Sequence, residues 1–148
     1  MGFDLNKWLE ETIDIDKVLD NAYQKVRPRI LCEDGFSVSV QASEYTYCEP
    51  SYTQWKEQDK WHVINGNFFG YNEEPRKMLK DCFTPYKSVE LGFPSEEDEL
   101  IMEYAEDEDY TNTVYGYAPV EIVEKLIDKH GGYIGTVTKM GQNKQKET

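Results

Sequence analysis

The sequence predicts an α+β fold: an antiparallel sheet of about four or five strands, with an N-terminal helical segment and a C-terminal helix packed on one face. Apolar residues recur at helical spacing near the start of the chain. Short alternating segments separated by turn residues fill the middle, and an amphipathic helix follows Pro119. Because strands do not alternate regularly with helices, a doubly wound parallel sheet is not expected.

The N-terminal helical segment is predicted by two apolar stripes, at residues 5–13 and 15–26. The phases of the two stripes differ near Asp14, so a kink or two short helices are expected. Arg27 ends the segment, since a residue that precedes proline disfavours the helical conformation.

Strands are predicted where short alternating segments are bounded by turn residues, at 29–32, 36–41, 87–93, 100–105 and 113–117. The first two flank Glu33, Asp34 and Gly35, and the Asp-Gly pair predicts a hairpin with a type I′ turn. A second hairpin is predicted at 61–69 and a short helix at 75–82.

The clearest helix is predicted at 119–130. Pro119 suits a first helical position, and the pair Gly131-Gly132 is a typical C-terminal stop. The apolar stripe of this helix consists of Val120, Val123, Leu126, Ile127 and His130.

Length and composition indicate a single domain over residues 1–148, with a frayed polar tail at 139–148. The chain is 39% hydrophobic and 14% aromatic, which distinguishes it from a disordered acidic chain. No apolar run approaches the about 18 to 20 residues of a membrane span, and no signal-peptide pattern occurs, so secretion is not expected. Three cysteines, an odd number, indicate a reducing cytosol rather than a disulfide framework.

The net charge of −13 is concentrated in residues 95–109, the acidic loop. This segment holds nine of the 29 acidic residues of the chain and neither Lys nor Arg. The nine are Glu96, Glu97, Asp98, Glu99, Glu103, Glu106, Asp107, Glu108 and Asp109. Such crowding of like charges opposes a compact state, so it indicates either a solvated surface or a surface that meets a basic partner.

We predict that these acids bind a basic nucleic-acid-binding protein by occupying a groove that normally receives DNA. Tyr104 and Tyr110 are predicted interface anchors, since tyrosine offers contact area and a hydroxyl at little entropic cost. Direct binding of nucleic acid or of an anionic membrane is not expected, because both require a basic surface. No oligomeric state is predicted.

No cofactor, metal site or catalytic residue is predicted, so the chain is not expected to be an enzyme. Five side chains could in principle supply zinc ligands: Cys32, Cys48, Cys82, His62 and His130. They form no Cys-x2-Cys or His-x3-His pair, and the cysteines are therefore expected to pack in the core. Both histidines are expected to be structural, since His62 lies in an aromatic stretch and His130 lies at the end of the last helix, where a cation suits the helix dipole.

Three segments resemble parts of small uncharacterised proteins of bacteriophages and prophages: ILCEDGFSVSVQAS at 30–43, VELGFPS at 89–95 and VYGYAPVEIVEKLIDKHGG at 114–132. The resemblance spans 30–48 and 88–133, and it makes residues 50–85 an insertion. It implies a phage origin and, by class, an acidic anti-CRISPR protein, several of which mimic DNA.

Charge and resemblance together predict a phage-encoded anti-CRISPR inhibitor that binds a CRISPR effector nuclease stoichiometrically in the cytoplasm of the infected bacterial host. Two alternatives stay open. One is a protein-interaction module that engages another host factor through its aromatic 45–71 region. The other is a nucleotide-binding counter-defence protein, either an enzyme or a nucleotide sponge, that uses a pocket between sheet and helix.

Overall fold

The computed structural model describes residues 2–12, 27–43, 46–51, 54 and 85–137. Four predictions lie outside these residues: the second helical stripe at 15–26, the hairpin at 61–69, the helix at 75–82 and the tail at 139–148. Most of the aromatic 45–71 region and of the insertion at 50–85 lies outside them as well.

The described residues form two α-helices, five strands and one 3₁₀ helix. In chain order these are α1 (Leu5–Glu11), β1 (Arg29–Cys32), β2 (Ser37–Gln41), β3 (Ser88–Gly92), the 3₁₀ helix (Met102–Tyr104), β4 (Val114–Pro119), α2 (Val120–Lys129) and β5 (Tyr133–Val137). The strands form one antiparallel sheet in the order β4-β3-β2-β1-β5, which confirms the predicted α+β fold. Neither of these helices is long and apolar enough to cross a membrane.

Helix α2 connects the two edges of the sheet. The first four strands form a meander that ends with β4 at one edge, whereas β5 pairs with β1 at the other. A ten-residue helix is about 15 Å long, close to the about 19 Å that four strand spacings cover. Helix α2 buries Val123, Leu126 and Ile127 and lies beside α1, whose Leu5 and Leu9 are fully buried.

The β1–β2 hairpin forms as predicted, but its turn is not the predicted type I′. The backbone N–H of Cys32 donates to the Phe36 carbonyl at 2.8 Å, which closes a three-residue loop. Gly35 has a φ of 97°, whereas Asp34 lacks the positive φ that a type I′ turn requires. Instead, Asp34 Oδ1 accepts a hydrogen bond from the Phe36 N–H at 2.9 Å, and this contact orients the carboxylate above the turn.

Helix α2 ends at the predicted glycine pair. Gly131 and Gly132 have φ values of 96° and 99°, in the left-handed region that favours glycine. The Gly132 N–H donates to the Ile127 carbonyl at 3.0 Å. A Cβ at Gly131 would lie 2.7 Å from the Glu33 Cβ, so the end of α2 is in direct contact with the β1–β2 turn.

The strand predicted at 100–105 is wrong. This part of the chain is a turn followed by the 3₁₀ helix, and only Ala105 bridges to β4. Asp98 causes the difference, because its Oδ1 accepts from the Leu100 N–H at 2.9 Å and its carbonyl accepts from the Ile101 N–H at 3.2 Å. Local side-chain hydrogen bonding therefore overrides the alternating pattern, and Ile101 is the residue that is fully buried.

Candidate functional site

The acidic loop joins β3 to β4 and is attached to the sheet at both of its ends. At the start, the Ser95 N–H donates to the Ser37 carbonyl at 2.8 Å, and the Ser37 N–H donates to Ser95 Oγ at 2.9 Å. Near the other end, the Glu106 N–H donates to the Val114 carbonyl at 2.9 Å. Ile101, fully buried, holds the middle of the loop against the core.

Eight of the nine predicted acids are exposed: Glu96, Glu97, Glu99, Glu103, Glu106, Asp107, Glu108 and Asp109. Among the described residues, none of these eight carboxylates forms an ion pair. The loop therefore presents exposed negative charge on a backbone that the sheet holds in place.

Asp98, the ninth acid, is only 5% exposed and faces the protein interior. Its Oδ2 lies 2.8 Å from His130 Nε2, and its Oδ1 accepts from Lys129 Nζ at 3.0 Å. The Leu100 N–H donates to the same Oδ1. Asp98 is thus the residue that attaches the acidic loop to the C-terminal end of α2, while the other eight acids form the exposed surface.

His130 is bound by carboxylates on both sides of its ring. Its Nδ1 lies 2.7 Å from Asp34 Oδ2, and its Nε2 contacts Asp98. The Phe36 ring stacks on the imidazole, with centroids 4.0 Å apart and an interplanar angle of 9°. This one side chain therefore connects the hairpin turn, the acidic loop and the end of α2.

The protonation states follow from these contacts. Burial opposes a charged imidazole, but hydrogen bonds to Asp34 and Asp98 outweigh it and raise the pKa of His130 above its ordinary 6.5. Burial likewise opposes a charged Asp98, yet hydrogen bonds from Leu100, His130 and Lys129 keep its pKa below the ordinary value. The pKa of Asp34 is lowered by the Phe36 N–H and by His130. The ring consequently acts as a cation between two carboxylates.

The prediction that His130 is structural described its position at a helix end but not its partners. Asp34 and Asp98 are 96 and 32 positions away from His130 along the chain. Sequence spacing contains no signal for such a contact. The one local signal was the Asp-Gly turn, which placed Asp34 at the tip of a hairpin without indicating what the tip would face.

The tyrosines near the acidic loop have different roles in the structure. Tyr104 and Tyr110, the two predicted anchors, are half-buried. Tyr104 packs against the core, and the Tyr110 carbonyl accepts a hydrogen bond from the Tyr115 hydroxyl at 2.6 Å. Tyr115 itself is fully buried and belongs to the core.

Two exposed aromatic residues, one before and one after the acidic loop along the chain, have an unusual backbone conformation. Phe93 has a φ of 50° and is 41% exposed, and Tyr117 has a φ of 54° and is 50% exposed. Residues other than glycine rarely adopt such values, which cost on the order of 1–3 kcal/mol. Tyr47, also exposed, lies beside Tyr117 with ring centroids 6.0 Å apart. Residues in such strained conformations cluster at functional sites, so Phe93 and Tyr117 are candidate contact residues.

Comparisons with protein families, with curated proteins and with solved structures find no match to this chain. Phage origin therefore stays a prediction from the resemblance described above.

The free energy of unfolding is expected to fall as the pH is raised from 6 to 9. The raised pKa of His130 means that its stabilising contribution is complete below 6.5 and is lost as the pH rises through the raised value. The lowered pKa values of Asp34 and Asp98 act oppositely, since their contributions are complete above 3.8 and are lost at lower pH. Urea denaturation at a series of pH values measures both the loss of stability at high pH and the loss at low pH.

The control for this experiment is His130→Gln, which should remove most of the decline above pH 6.5. An equal decline in that variant would contradict the assignment to His130. It would mean that another titrating group causes the decline, and the only other histidine of the chain is His62. The variant is expected to be less stable at pH 6, so the comparison uses the slope with pH rather than the absolute free energy.

Proposed function

We propose that this protein binds, without catalysis, a partner protein whose basic groove normally holds nucleic acid. The acidic loop would enter that groove as a mimic of DNA. The observation that supports this most directly is the set of eight exposed carboxylates, none of them ion-paired with another described residue, on a loop that is attached to the sheet at both ends.

Carboxylates can replace phosphates because arginine binds both through the same planar pair of N–H donors. A groove lined with Arg and Lys also attracts an acidic protein from a distance, which raises the association rate. The attachment of the loop to Ser37, Val114 and His130 matters here, because a loop ordered before binding loses less conformational entropy on association.

Exposed aromatic side chains would add contact area beside the charge. Phe93 and Tyr117 are exposed and strained, and Tyr104 and Tyr110 are accessible in part. Binding energy at protein interfaces is concentrated in such aromatic anchors, whereas charged residues around them contribute more to specificity and rate.

The candidate partner, from the resemblance to phage proteins, is a CRISPR effector nuclease of the infected bacterial host, and the cytoplasm is then the site of action. These enzymes hold DNA in a positively charged channel and use arginine pairs to recognise the short motif next to the target. An acidic loop in that channel would prevent DNA from binding without any chemical step.

The test compares two variants with the same change in net charge. The loop variant is E97Q/E99Q/E103Q/E108Q, and the control variant is E10Q/E11Q/E33Q/E121Q, outside the loop. With about 0.7 kcal/mol for each carboxylate, the loop variant should bind about 100-fold more weakly. The measurements are inhibition of DNA cleavage and the dissociation constant for a panel of purified guide-loaded effectors, at 50 and 200 mM salt.

The wild-type protein should lose affinity steeply with salt, and the control variant should behave like it. Equal weakening of both variants would show that net charge, not the acidic loop, controls binding. Full inhibition by the loop variant would refute DNA mimicry. If no effector is inhibited, the assignment to CRISPR fails, while capture of another nucleic-acid enzyme that depends on the same four residues would retain the binding mechanism.

A second candidate is a protein-interaction module that uses the aromatic 45–71 region, and one described contact favours it. Tyr47, in that region, is 49% exposed and pairs with Tyr117 of β4. This hypothesis expects binding that is insensitive to salt and is lost in Tyr47→Ala, a residue that the first proposal does not use. Variants at Trp55, Trp61 and Phe68 extend the test to the rest of the region.

The nucleotide-binding alternative has less support. A groove of about 420 Å³ lies between α1 and the start of β5, and Phe3, Trp8 and Tyr133 line it. Its acidic residues are Asp4, Glu11 and Asp128. These carboxylates would repel the phosphates of a nucleotide, and Lys7 is the single basic residue among the described lining residues.

A further inference from the structure

We propose that Asp34, Glu96 and His130 form a binding site for a divalent transition-metal ion, with Zn²⁺ as its best probe. The three residues belong to different elements: the β1–β2 turn, the start of the acidic loop and the end of α2. One ligand atom from each lies within 4.8 Å of the other two. Tetrahedral zinc needs donor atoms about 3.3 Å apart, so small rotations of the exposed Asp34 and Glu96 side chains complete the geometry.

The nitrogen donor is what distinguishes this cluster from a group of surface acids. His130 is 8% exposed, and its ring is held by the stacked Phe36 ring and by Asp98 on Nε2. Its Nδ1 therefore points toward Asp34, and a carboxylate oxygen of Glu96 lies within 4.8 Å of a ring nitrogen. A buried carboxylate behind a histidine, on the nitrogen opposite to the ligating one, is the usual support of metal-binding histidines.

The oxygen donors are prepared in a comparable way. Asp34 uses Oδ1 to accept from the Phe36 N–H at 2.9 Å, which leaves Oδ2, now 2.7 Å from His130 Nδ1, to bind the ion. Glu96 is exposed and has no ion pair among the described residues. Its carboxylate can therefore bind an ion without loss of an ion pair to any described residue.

Binding exchanges a proton for the ion. The proton on His130 Nδ1, which now bonds Asp34, leaves to solvent, and Nδ1 and Asp34 Oδ2 then bind the ion, while the Nε2 proton stays with Asp98. Three carboxylates surround the ring, from Asp34, Glu96 and Asp98, and Lys129 supplies one compensating charge. A dication balances this excess better than a single proton does.

The donor set also indicates which ions fit. One imidazole and two carboxylates suit Zn²⁺ and neighbouring transition metals, with water in the remaining position. Mg²⁺ and Ca²⁺ prefer oxygen donors throughout and are expected to bind more weakly here.

The test is calorimetric titration of the metal-free full-length chain with Zn²⁺, with NMR signals of the His130 ring as a second readout. We expect one saturable site, affinity at least tenfold weaker in Glu96→Gln and in Asp34→Asn, and a shift of the ring signals on binding. The matched controls are Glu97→Gln and Glu99→Gln, which remove one exposed charge from the same loop and should change affinity less than twofold.

Equal weakening by Glu96→Gln and by the two controls would overturn the proposal, since it would show diffuse attraction to an acidic surface. Zn²⁺ binding that is unaffected by Glu96→Gln and leaves the ring signals unchanged would also overturn the proposal. It would indicate that the cysteines are the ligands. Equally tight binding of Mg²⁺ or Ca²⁺ would overturn the assignment to a transition metal. Glu96 is absent from the four-residue loop variant, so this result and that of the partner-binding test are independent.

Discussion

Replacement of Asp98 by alanine is expected to lower the free energy of unfolding by about 3–5 kcal/mol, the usual cost of leaving a buried charge without its partner. The Asp98 side chain is 3% exposed and accepts hydrogen bonds from His130, Lys129 and the Leu100 N–H. Its loss leaves the His130 Nε2 proton unpaired and frees the acidic loop from α2. The measurement is urea denaturation at pH 6, where His130 is protonated.

Asp98→Asn separates charge from shape, because asparagine keeps the size and one acceptor oxygen. We expect a smaller loss, about 2 kcal/mol, since hydrogen bonds to charged groups are worth about 1.5–3 kcal/mol. Glu99→Gln, one residue away and exposed, is the matched control and should change stability by less than about 0.5 kcal/mol. Equal effects of Asp98→Asn and Glu99→Gln would show that Asp98 is another surface acid.

Replacement of Arg27 by alanine should destabilise the fold by about 3 kcal/mol, because buried acceptors that lose their donor cost about 1–3 kcal/mol each. Arg27 is 3% exposed, and its guanidinium donates to the Leu9 carbonyl at 2.9 and 3.2 Å and to the Ala42 carbonyl at 2.9 Å. It thereby joins α1 to the end of β2. Burial lowers the pKa of Arg27 to about 10, so the group is still charged at neutral pH.

The expected order of stability is wild type, then Arg27→Lys, then Arg27→Ala, because an ammonium group cannot reproduce the guanidinium fork. Lys87→Ala, at an exposed position just before β3, is the control and should be near neutral. Arg27→Met tests whether the buried guanidinium stabilises the fold at all. If this variant is as stable as the wild type, the cost of burying the guanidinium cancels its three hydrogen bonds.

Much of the fold could be predicted because local patterns agree with the tertiary structure. The period of two in β2 and the helical stripe of α2 both survive folding, since each presents one apolar face to a single core. The glycine pair after α2 stops the helix, because only glycine adopts the left-handed conformation at no steric cost. These signals act within a few residues, so they can be recognised from the sequence alone.

The errors have the opposite origin. The alternating pattern at 100–105 is a valid strand signal, but the side chain of Asp98 closes a turn there and two distant cations hold that side chain inward. The turn at Asp34 differs from type I′ because the Phe36 N–H captures its carboxylate. In both cases a hydrogen bond to a carboxylate decides the local conformation.

The sequence by itself determined the fold class and the concentration of charge in residues 95–109, since composition and periodicity are properties of the chain alone. Only the tertiary structure decided that Asp98 faces inward, apart from its eight neighbours, and that His130 lies between Asp34 and Asp98. The physical reason is distance along the chain. A carboxylate becomes a surface charge or a buried ion-pair partner according to the cation that folding brings to it, and here that cation is 32 residues away.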